Sequence, residues 1–370
     1  MRIGPFEIAG QVLLAPMAGV TDQPFRQLCR RFGAAVTPAE MLTADSSLWS
    51  SRKSRLRRVH QDEPEPRVVQ LAGADPQQLA EAARANVAEG AQIIDLNMGC
   101  PAKKVCNRLC GSALLSDEPL VARILDAVVR AVPVPVTLKI RTGADATHVN
   151  ALRIARLAEQ SGVQALAIHG RTRAQRFEGV AEYETIREVC QAVGIPVIAN
   201  GDIASPPQAA AVLHHTGAAA VMIGRAAQGS PWIFRDVNSF LENAQTAPPL
   251  LRTQMTAIIL QHLESLYAFY GEHTGLRIAR KHLGWYCRLH PDANELRQML
   301  MAAGDTVSQH AGARDAFGRW ALRQGAAEHG ECQGMGDGEH QDIQEWKSSD
   351  FDPHAGPRAA APQPHRTRAA

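Results

Sequence analysis

Short apolar runs recur along the first part of the chain, each followed by a segment with apolar residues at helical spacing. The runs are residues 11–17 (QVLLAPM), 35–38 (AVTP), 67–71 (RVVQL), 92–96 (QIIDL), 134–140 (VPVTLKI), 165–169 (ALAIH), 195–199 (IPVIA) and 219–223 (AAVMI). Runs this short and this apolar are the signature of strands buried on both faces of a parallel sheet. Between them the spacing predicts helices that open at residues 21–24 (TDQP) and cover 77–88, 118–132, 149–160, 183–192 and 206–215. The alternation predicts an α/β fold, a (β/α)8 TIM barrel. A doubly wound open sheet is the alternative, but the number and even spacing of the units favour closure.

From about residue 248 the pattern becomes helical only. Residues 251–270 carry an apolar stripe at Ile258, Ile259, His262, Leu263, Leu266 and Phe269, and further helices are expected over 277–288 and 294–301. The expected organisation is a catalytic barrel over 1–245, a small helical domain over 246–310, and a disordered tail over 311–370. In the tail Gly, Ala, His, Gln and Pro dominate and apolar periodicity fades.

The polar residues within the barrel are not scattered. Met17-Ala18, Gln70, Asn97 to Cys100, Lys139 to Arg141, His169 to Arg171, Asn200 to Asp202 and Gly224-Arg225 each sit at or just past the carboxyl end of a run. In a barrel of this kind those ends form one face, where active sites lie. One shared pocket is the economical explanation.

Composition narrows the chemistry only a little. With 39 Lys+Arg against 37 Asp+Glu the chain is nearly neutral, so any affinity for a polyanion must come from local patches. Seven cysteines without a repeated pairing or zinc-like spacing fit reduced thiols and no metal centre. The first residues lack the apolar core of a secretory signal, and no run approaches the roughly 20 apolar residues of a membrane span. A cytoplasmic protein is expected.

The fourth run breaks at Asn97-Met98-Gly99-Cys100-Pro101. Gly99 is expected to allow an unusual turn, and Pro101 cannot continue a ladder, so Cys100 is held on a stiff loop. Lys103, Lys104 and Arg108 follow and surround it with positive charge. Nearby cations lower a thiol's pKa, yet a thiol that keeps its proton can serve as an acid. Both roles are open on the residues alone. Cys106 and Cys110, four apart, are expected to share a helix face and to pack.

The last two strand ends suit an anion. Asn200-Gly201-Asp202 follows the seventh run and Gly224-Arg225 the eighth, where barrels commonly bind phosphate. Lys139 interrupts an apolar strand and is expected at the pocket floor, since burial elsewhere would carry a large desolvation penalty. Such a cation suits the anionic form of a reduced cofactor ring. His169, Arg141 and Arg171 add donors on the same face. Basic residues also cluster at residues 52–58 (RKSRLRR) and at Arg277, Arg280, Lys281 and Arg288, with Trp285 and Tyr286 interleaved. These suit phosphate contacts and base stacking.

The motifs LAPMAGVTDQPFR (14–26), DLNMGCPAKKV (95–105), LKIRTG (138–143), IHGRTR (168–173), PVIANGDI (196–203) and VMIGRAAQGSPWIF (221–234) resemble those of tRNA-dihydrouridine synthases, most of all the bacterial B subfamily. The resemblance covers roughly residues 1–301. It implies a flavin-bearing barrel with a helical tRNA-binding domain, using FMN and NADPH (or NADH) to reduce the C5–C6 double bond of a D-loop uridine in tRNA. Pro16, Met17 and Ala18 match the segment along the flavin ring, Gln70 a ring partner, Lys139 a lysine near its pyrimidine side, and His169 a flavin-contacting histidine. Asn200, Gly201, Asp202, Gly224 and Arg225 match the phosphate-end loops. Cys100 matches the general acid that protonates C5, and Asn97 a residue close to the uracil. Lys103, Lys104, Arg141 and Arg171 are further candidate substrate contacts, and a monomer is expected.

The residues after about 310 depart from the family's usual ending, which an altered reading frame late in the gene would explain. Two other classes fit the same barrel. A flavin oxidoreductase acting on a free pyrimidine would not need the basic patches. A non-catalytic tRNA-binding or folding factor would not need the Cys100 loop.

Overall fold

A computed structural model of the chain describes residues 1–58, 63–106 and 110–331. The apolar runs form parallel strands β1 (Val12–Leu14), β3 (Val68–Ala72), β4 (Ile93–Met98), β5 (Val136–Arg141), β6 (Leu166–His169), β7 (Val197–Asn200) and β8 (Ala220–Ile223), joined by a two-residue β2 (Leu42–Thr43). Their spatial order is β1-β8-β7-β6-β5-β4-β3-β2. The run at 35–38 is not a regular strand, because Pro38 has no N–H to donate to a ladder. It closes the ring all the same. Ala35 N donates to Val12 O at 2.8 Å, Leu14 N to Val36 O at 3.0 Å, and Ala39 N to Val68 O at 3.0 Å.

Helices alternate with the strands: α1 (Gln23–Arg31), α2 (Arg52–Arg57), α3 (Pro76–Ala88), α4 (Glu118–Ala131), α5 (Ala151–Gln160), α6 (Glu184–Ala192), α7 (Pro206–Thr216) and α8 (Ile233–Asn243). Four of them start as the sequence leads one to expect. The side chains of Asp22, Asp75, Asp117 and Ser205 cap the first turns of α1, α3, α4 and α7, each with a proline in that turn.

Each strand alternates faces, and the two faces do different things. Val12, Leu14, Val69, Leu71, Ile94, Leu96, Leu138, Ile140, Ile168, Ala199, Val221 and Ile223 pack outward against the helices. Leu13, Ala15, Val68, Ile93, Ala165, Ala167, Ile198, Ala220 and Met222 form a separate inner cluster that fills the lower barrel. One pleat repeat further along the same inward face come Gln70, Asp95, Asn97, Thr137, Lys139, Arg141, His169 and Asn200. The lumen is thus apolar below and polar at the carboxyl ends.

Beyond the barrel, α9 (Arg252–Tyr270), α10 (Glu272–Tyr286), α11 (Ala293–Ala302) and α12 (Thr306–Glu331) enclose their own core of Ile259, Leu263, Leu266, Leu283, Leu300 and Phe317. The expected loss of order at residue 311 does not hold for the residues up to 331. Ala313, Ala316, Phe317, Trp320 and Ala321 are buried at helical spacing on α12; residues 332–370 lie outside the described residues. The helical domain meets the barrel through α1 and the β1–α1 loop. Tyr270 Oη donates to Asp22 Oδ2 at 3.0 Å, Arg31 Nη1 to Gln261 Oε1 at 2.8 Å, and Lys281 Nζ to Gly19 O at 3.4 Å. No helix of the described residues is long and apolar enough to cross a membrane.

Candidate active site

The carboxyl ends of the strands open into one cavity of about 1260 Å³. Pro16, Met17, Ala18, Gln70, Asn97, Cys100, Lys139, Arg141, His169, Arg171, Asn200, Gly201, Asp202, Gly224 and Arg225 all line it. Of the residues singled out from sequence, Lys103 and Lys104 begin a short helix beside the Cys100 loop (Lys103–Cys106), but their side chains, like Arg108, lie outside the described residues.

Cys100 follows β4 on a loop held from three directions. Asn97 Oδ1 accepts from Cys100 N at 3.0 Å and from Gly99 N at 3.3 Å, turning the chain at the strand end. Arg141 Nε donates to Gly99 O at 2.8 Å. Ser112, fully buried, donates to Cys100 O from its hydroxyl at 2.9 Å and from its N–H at 3.1 Å. Two glycines make this possible for reasons of space. Gly99 is absent from the positive-φ residues, against expectation; a Cβ there would lie 3.3 Å from the carbonyl of Ile140. Gly111, at φ +62°, would place a Cβ 2.7 Å from Cys100 O. Cys106 and Cys110 do not share a helix. The first ends the Lys103–Cys106 turn, and the second precedes the 3-10 turn Gly111–Ser116.

Burial decides the state of the thiol. It pushes Cys100 up from the ordinary value, and the opposing pull of the Ala102 N–H, then of Arg141 and Lys139, does not overcome it. The sulfur keeps its proton at neutral pH, as an acid must.

Around the thiol the cavity is cationic. Lys139 Nζ donates to Asn200 Oδ1 at 2.8 Å, and burial, with Arg141 adding to it, brings its ammonium down to about 8. His169 is driven down to about 2, first by burial and then by Lys139, Arg141, Arg171 and Arg225, so it is neutral. Its Nδ1 is buried without a hydrogen-bond partner among the described residues. An imidazole nitrogen left open among four cations is a place for a polar ligand atom.

Arg171 has a different surrounding from the one expected of a substrate contact. It is 1% exposed; its guanidinium clamps Asp202 with both nitrogens and donates to Glu178 O at 3.0 Å and Gly179 O at 2.7 Å. It braces the loop of residues 174–181 over the cavity. Asp202 stands at a left-handed φ of +47°, where Asp is better tolerated than most side chains. Burial alone would raise its carboxyl, but hydrogen bonds from Arg171 and Ala181 N hold it below the usual range. Asp202 Oδ1 also accepts from Arg225 Nη2 at 2.8 Å. Arg225 is therefore aimed by Asp202, with its side chain still 55% exposed.

Phe177 was not evident from sequence. This aromatic is 57% exposed at the cavity mouth, with the guanidinium carbons of Arg141 and Arg225 at 5.4 and 5.6 Å from its ring centre. A lone aromatic in the polar stretch RTRAQRFEG was the available signal.

Part of the basic cluster at residues 52–58 is tied internally, while Arg52 and Arg55 stay exposed. Arg57 Nη1 donates to Met41 O at 3.1 Å and Arg57 pairs with Glu40, Arg52 Nη2 donates to Tyr270 O at 2.6 Å, and Arg58 pairs with Glu89 and lies over Trp49. On α10, Arg277 and Lys281 are exposed, as is Arg288 just beyond it, whereas Arg280 donates to Ala303 O at 2.9 Å. Tyr286 is buried against His262 and cannot stack on a base; Trp285 is half-buried.

The family profile described as "Dihydrouridine synthase (Dus)" matches residues 13–321. The "tRNA-dihydrouridine synthase B" of Pseudomonas aeruginosa is 59% identical over 317 residues, spanning 86% of this chain and 96% of that protein. Its namesake in Xanthomonas axonopodis pv. citri is 58% identical over 317 residues, with the same coverage of 86% and 96%. That of Salmonella typhimurium is 54% identical over 309 residues, spanning 84% and 96%. The likeness thus runs past residue 301 into α12.

Proposed function

Because the chain belongs to the dihydrouridine synthase family, we propose that its barrel mouth reduces a uridine of tRNA, with Cys100 as the proton donor. The observation that carries this reading is the position of the thiol. It opens into the same cavity as Lys139, His169 and Arg225, and burial keeps it protonated.

The cavity's donor set suits FMN. The open Nδ1 of His169, the buried ammonium of Lys139 and the half-exposed guanidinium of Arg225 are arranged for an anionic, hydrogen-bonding ligand. Pro16 to Ala18, Gln70 and Lys139 would flank its ring, and Asn200 to Asp202, Gly224 and Arg225 its phosphate. When bound, FMN supplies the hydride for C6 of the uracil after reduction by NADPH.

The chain's own residues do the rest. Hydride addition at C6 leaves negative charge at C5 conjugated with the C4 carbonyl, and the S–H bond of Cys100 breaks as its proton goes to C5. The thiolate left behind is favoured by Arg141 and Lys139 until water returns the proton. Asn97, which holds the Cys100 loop, lies beside the uracil. Reaching that base in folded tRNA requires turning the nucleotide out of its stack. Arg277, Lys281 and Arg288 form an exposed basic face. Lys281 touches Gly19, next to Met17 and Ala18, so this face leads to the cavity rim. The same reading makes the enzyme a cytoplasmic monomer.

The purified protein should be yellow, be bleached by NADPH and regain its colour on adding tRNA that lacks dihydrouridine. Cys100→Ala should bind flavin and be bleached but should not complete uridine reduction. An unchanged rate of tRNA modification in that variant would remove Cys100 from the role.

A further inference from the structure

We propose that Asp95 is a positioning residue: its buried carboxylate sets the direction of two side-chain amides and thereby fixes the Cys100 loop. Asp95 lies on the inward face of β4, one pleat repeat below Asn97. Thr137 Oγ1 donates to its Oδ1 at 2.7 Å, and Gln70 Nε2 to its Oδ2 at 2.7 Å. Gln70 Oε1 in turn accepts from Asn97 Nδ2 at 2.9 Å, leaving Asn97 Oδ1 to accept from Gly99 N and Cys100 N.

An amide can be turned end for end with little change of shape, so neither Gln70 nor Asn97 determines its own direction. An ionised carboxylate can, because it accepts and never donates. With Asp95 as the terminal acceptor, Gln70 must present its NH₂ to Asp95 and its oxygen to Asn97. Asn97 must then present its NH₂ to Gln70 and its oxygen to the Cys100 backbone. Reversing any member sets donor against donor in a buried layer. Burial raises the Asp95 carboxyl above its ordinary value, and the hydrogen bonds from Thr137 and Gln70, with Lys139 on the neighbouring strand, oppose that rise and favour the accepting form. Asp95 touches neither the thiol nor the cavity surface; it reaches the Cys100 loop through Gln70 and Asn97, and the Lys139 ammonium through charge alone.

The inference rests on Cys100 as proton donor for its effect on turnover, but the loop itself can be read without turnover. In Asp95→Asn holoenzyme, reoxidation of the NADPH-reduced flavin by saturating tRNA should slow about tenfold or more, as expected for a misplaced reacting group. The tRNA concentration giving half-maximal rate, and the rate of bleaching by NADPH, should change less than about twofold on the same ground. Thr137→Val also removes a partner of Asp95 but leaves the amide direction intact, so it should lower the melting temperature and spare the reoxidation rate. Equal slowing in both variants would reduce Asp95 to packing and overturn the proposal.

The second arm follows alkylation of Cys100 by iodoacetamide, site by site through peptide mass mapping. Asp95→Asn should alkylate several-fold faster because the loop is unpinned. Gln70→Glu/Asp95→Asn moves the carboxylate one step along the relay, where it still accepts from Asn97, and should return alkylation towards the parent rate. A parent rate in Asp95→Asn, or no recovery in the double variant, would overturn the proposal. Failure of Cys100→Ala to affect turnover would instead sink the acid assignment and leave this arm standing.

Discussion

Two of the places where the chain buries polar side chains are treated differently. At the barrel mouth Thr137, Asp95, Gln70 and Asn97 are joined donor to acceptor up to the Cys100 backbone. At the seam between α1 and the helical domain, His262 and His282 are equally buried. There only His262 Nδ1 has a partner, Tyr286 Oη at 2.9 Å; His262 Nε2 and both nitrogens of His282 have none among the described residues. Instead the imidazoles stack edgewise with one another at 4.6 Å and lie 5.7 and 5.3 Å from the ring of Phe25. A wired polar group has its orientation determined and can position a neighbour. An unwired one serves as an aromatic ring and burdens stability. Burial of a titratable residue therefore does not by itself mark chemistry; its connections do.

The largest expected contrast lies in catalysis. Cys100→Ala should lower uridine reduction by about 10²–10⁴-fold, the range for loss of a positioned acid, with flavin content unchanged. His282→Phe, at a comparably buried site, should leave the rate per folded molecule within about twofold, since it touches no reacting group. Rates normalised to bound flavin check both, and a large loss in the seam variant would break the comparison.

The next effect is on stability against pH. Burial, with Lys281 adding to it, takes His282 down to about 3 from an ordinary 6.5. The unfolded chain then binds the extra proton between these values, so stability is fully present above about 6.5 and falls as pH drops towards 3. His262 is shifted the same way, by burial first and then by His282 and Arg31. Asp22, which caps α1 and meets Tyr270, opposes them. Burial raises it to about 7 from 3.8, so its contribution favours the folded state at lower pH and is lost as pH rises through that window. The wild-type slope mixes both signs. Chemical denaturation of His282→Phe across the acid range should show a flatter decline than the parent, and an identical slope would refute the assignment of the seam as an acid-labile element.

What sequence disclosed and what it hid follow the same division. The strands were legible because burial on both faces needs uninterrupted apolar runs, and the mouth because Lys139, His169 and Asn200 interrupt those runs at their ends. Asp95 and Thr137 carried the same signal, each two positions before a recognised residue on the inward face, and were passed over as strand interior. The run of arginines at 52–58 did not disclose which of its members are paired, because a linear cluster says nothing about partners such as Glu40 and Glu89, which hold Arg57 and Arg58 while Arg55 stays exposed. Tyr286 misled because neighbours on a helix point about 100° apart, so Trp285 is half-buried while Tyr286 enters the core. Helix α12 was missed although Ala313, Ala316, Phe317, Trp320 and Ala321 keep helical spacing; alanines make a weak stripe in an Ala- and Gly-rich stretch.

A smaller effect should come from Ser112→Ala. It deletes the hydroxyl that donates to Cys100 O at 2.9 Å but leaves the Ser112 N–H bond at 3.1 Å. The loss should be about 1 kcal/mol in stability, as for one hydrogen bond with the acceptor still partly satisfied. Turnover should fall only a few-fold, since Asn97 and Arg141 still hold the loop from the other side. A loss as large as that of Cys100→Ala would mean that the Asn97 side contributes little to holding the thiol.

The smallest effect is expected at the rim, where contacts are solvated and exchangeable. Lys281 reaches Gly19 O at 3.4 Å, a weak link, and its ammonium stays exposed towards any polyanion laid across α10. If it neutralises one phosphate of bound tRNA, Lys281→Ala should reduce the slope of log affinity against log salt by about one, with a uniform weakening across tRNAs and an unchanged rate at saturation. Arg57, paired internally with Glu40, should by contrast leave that slope unaltered when replaced by Gln. If Arg57→Gln lowers the slope and Lys281→Ala does not, the polyanion path runs over α2 rather than α10. The cluster most conspicuous in the sequence would then be the interface after all.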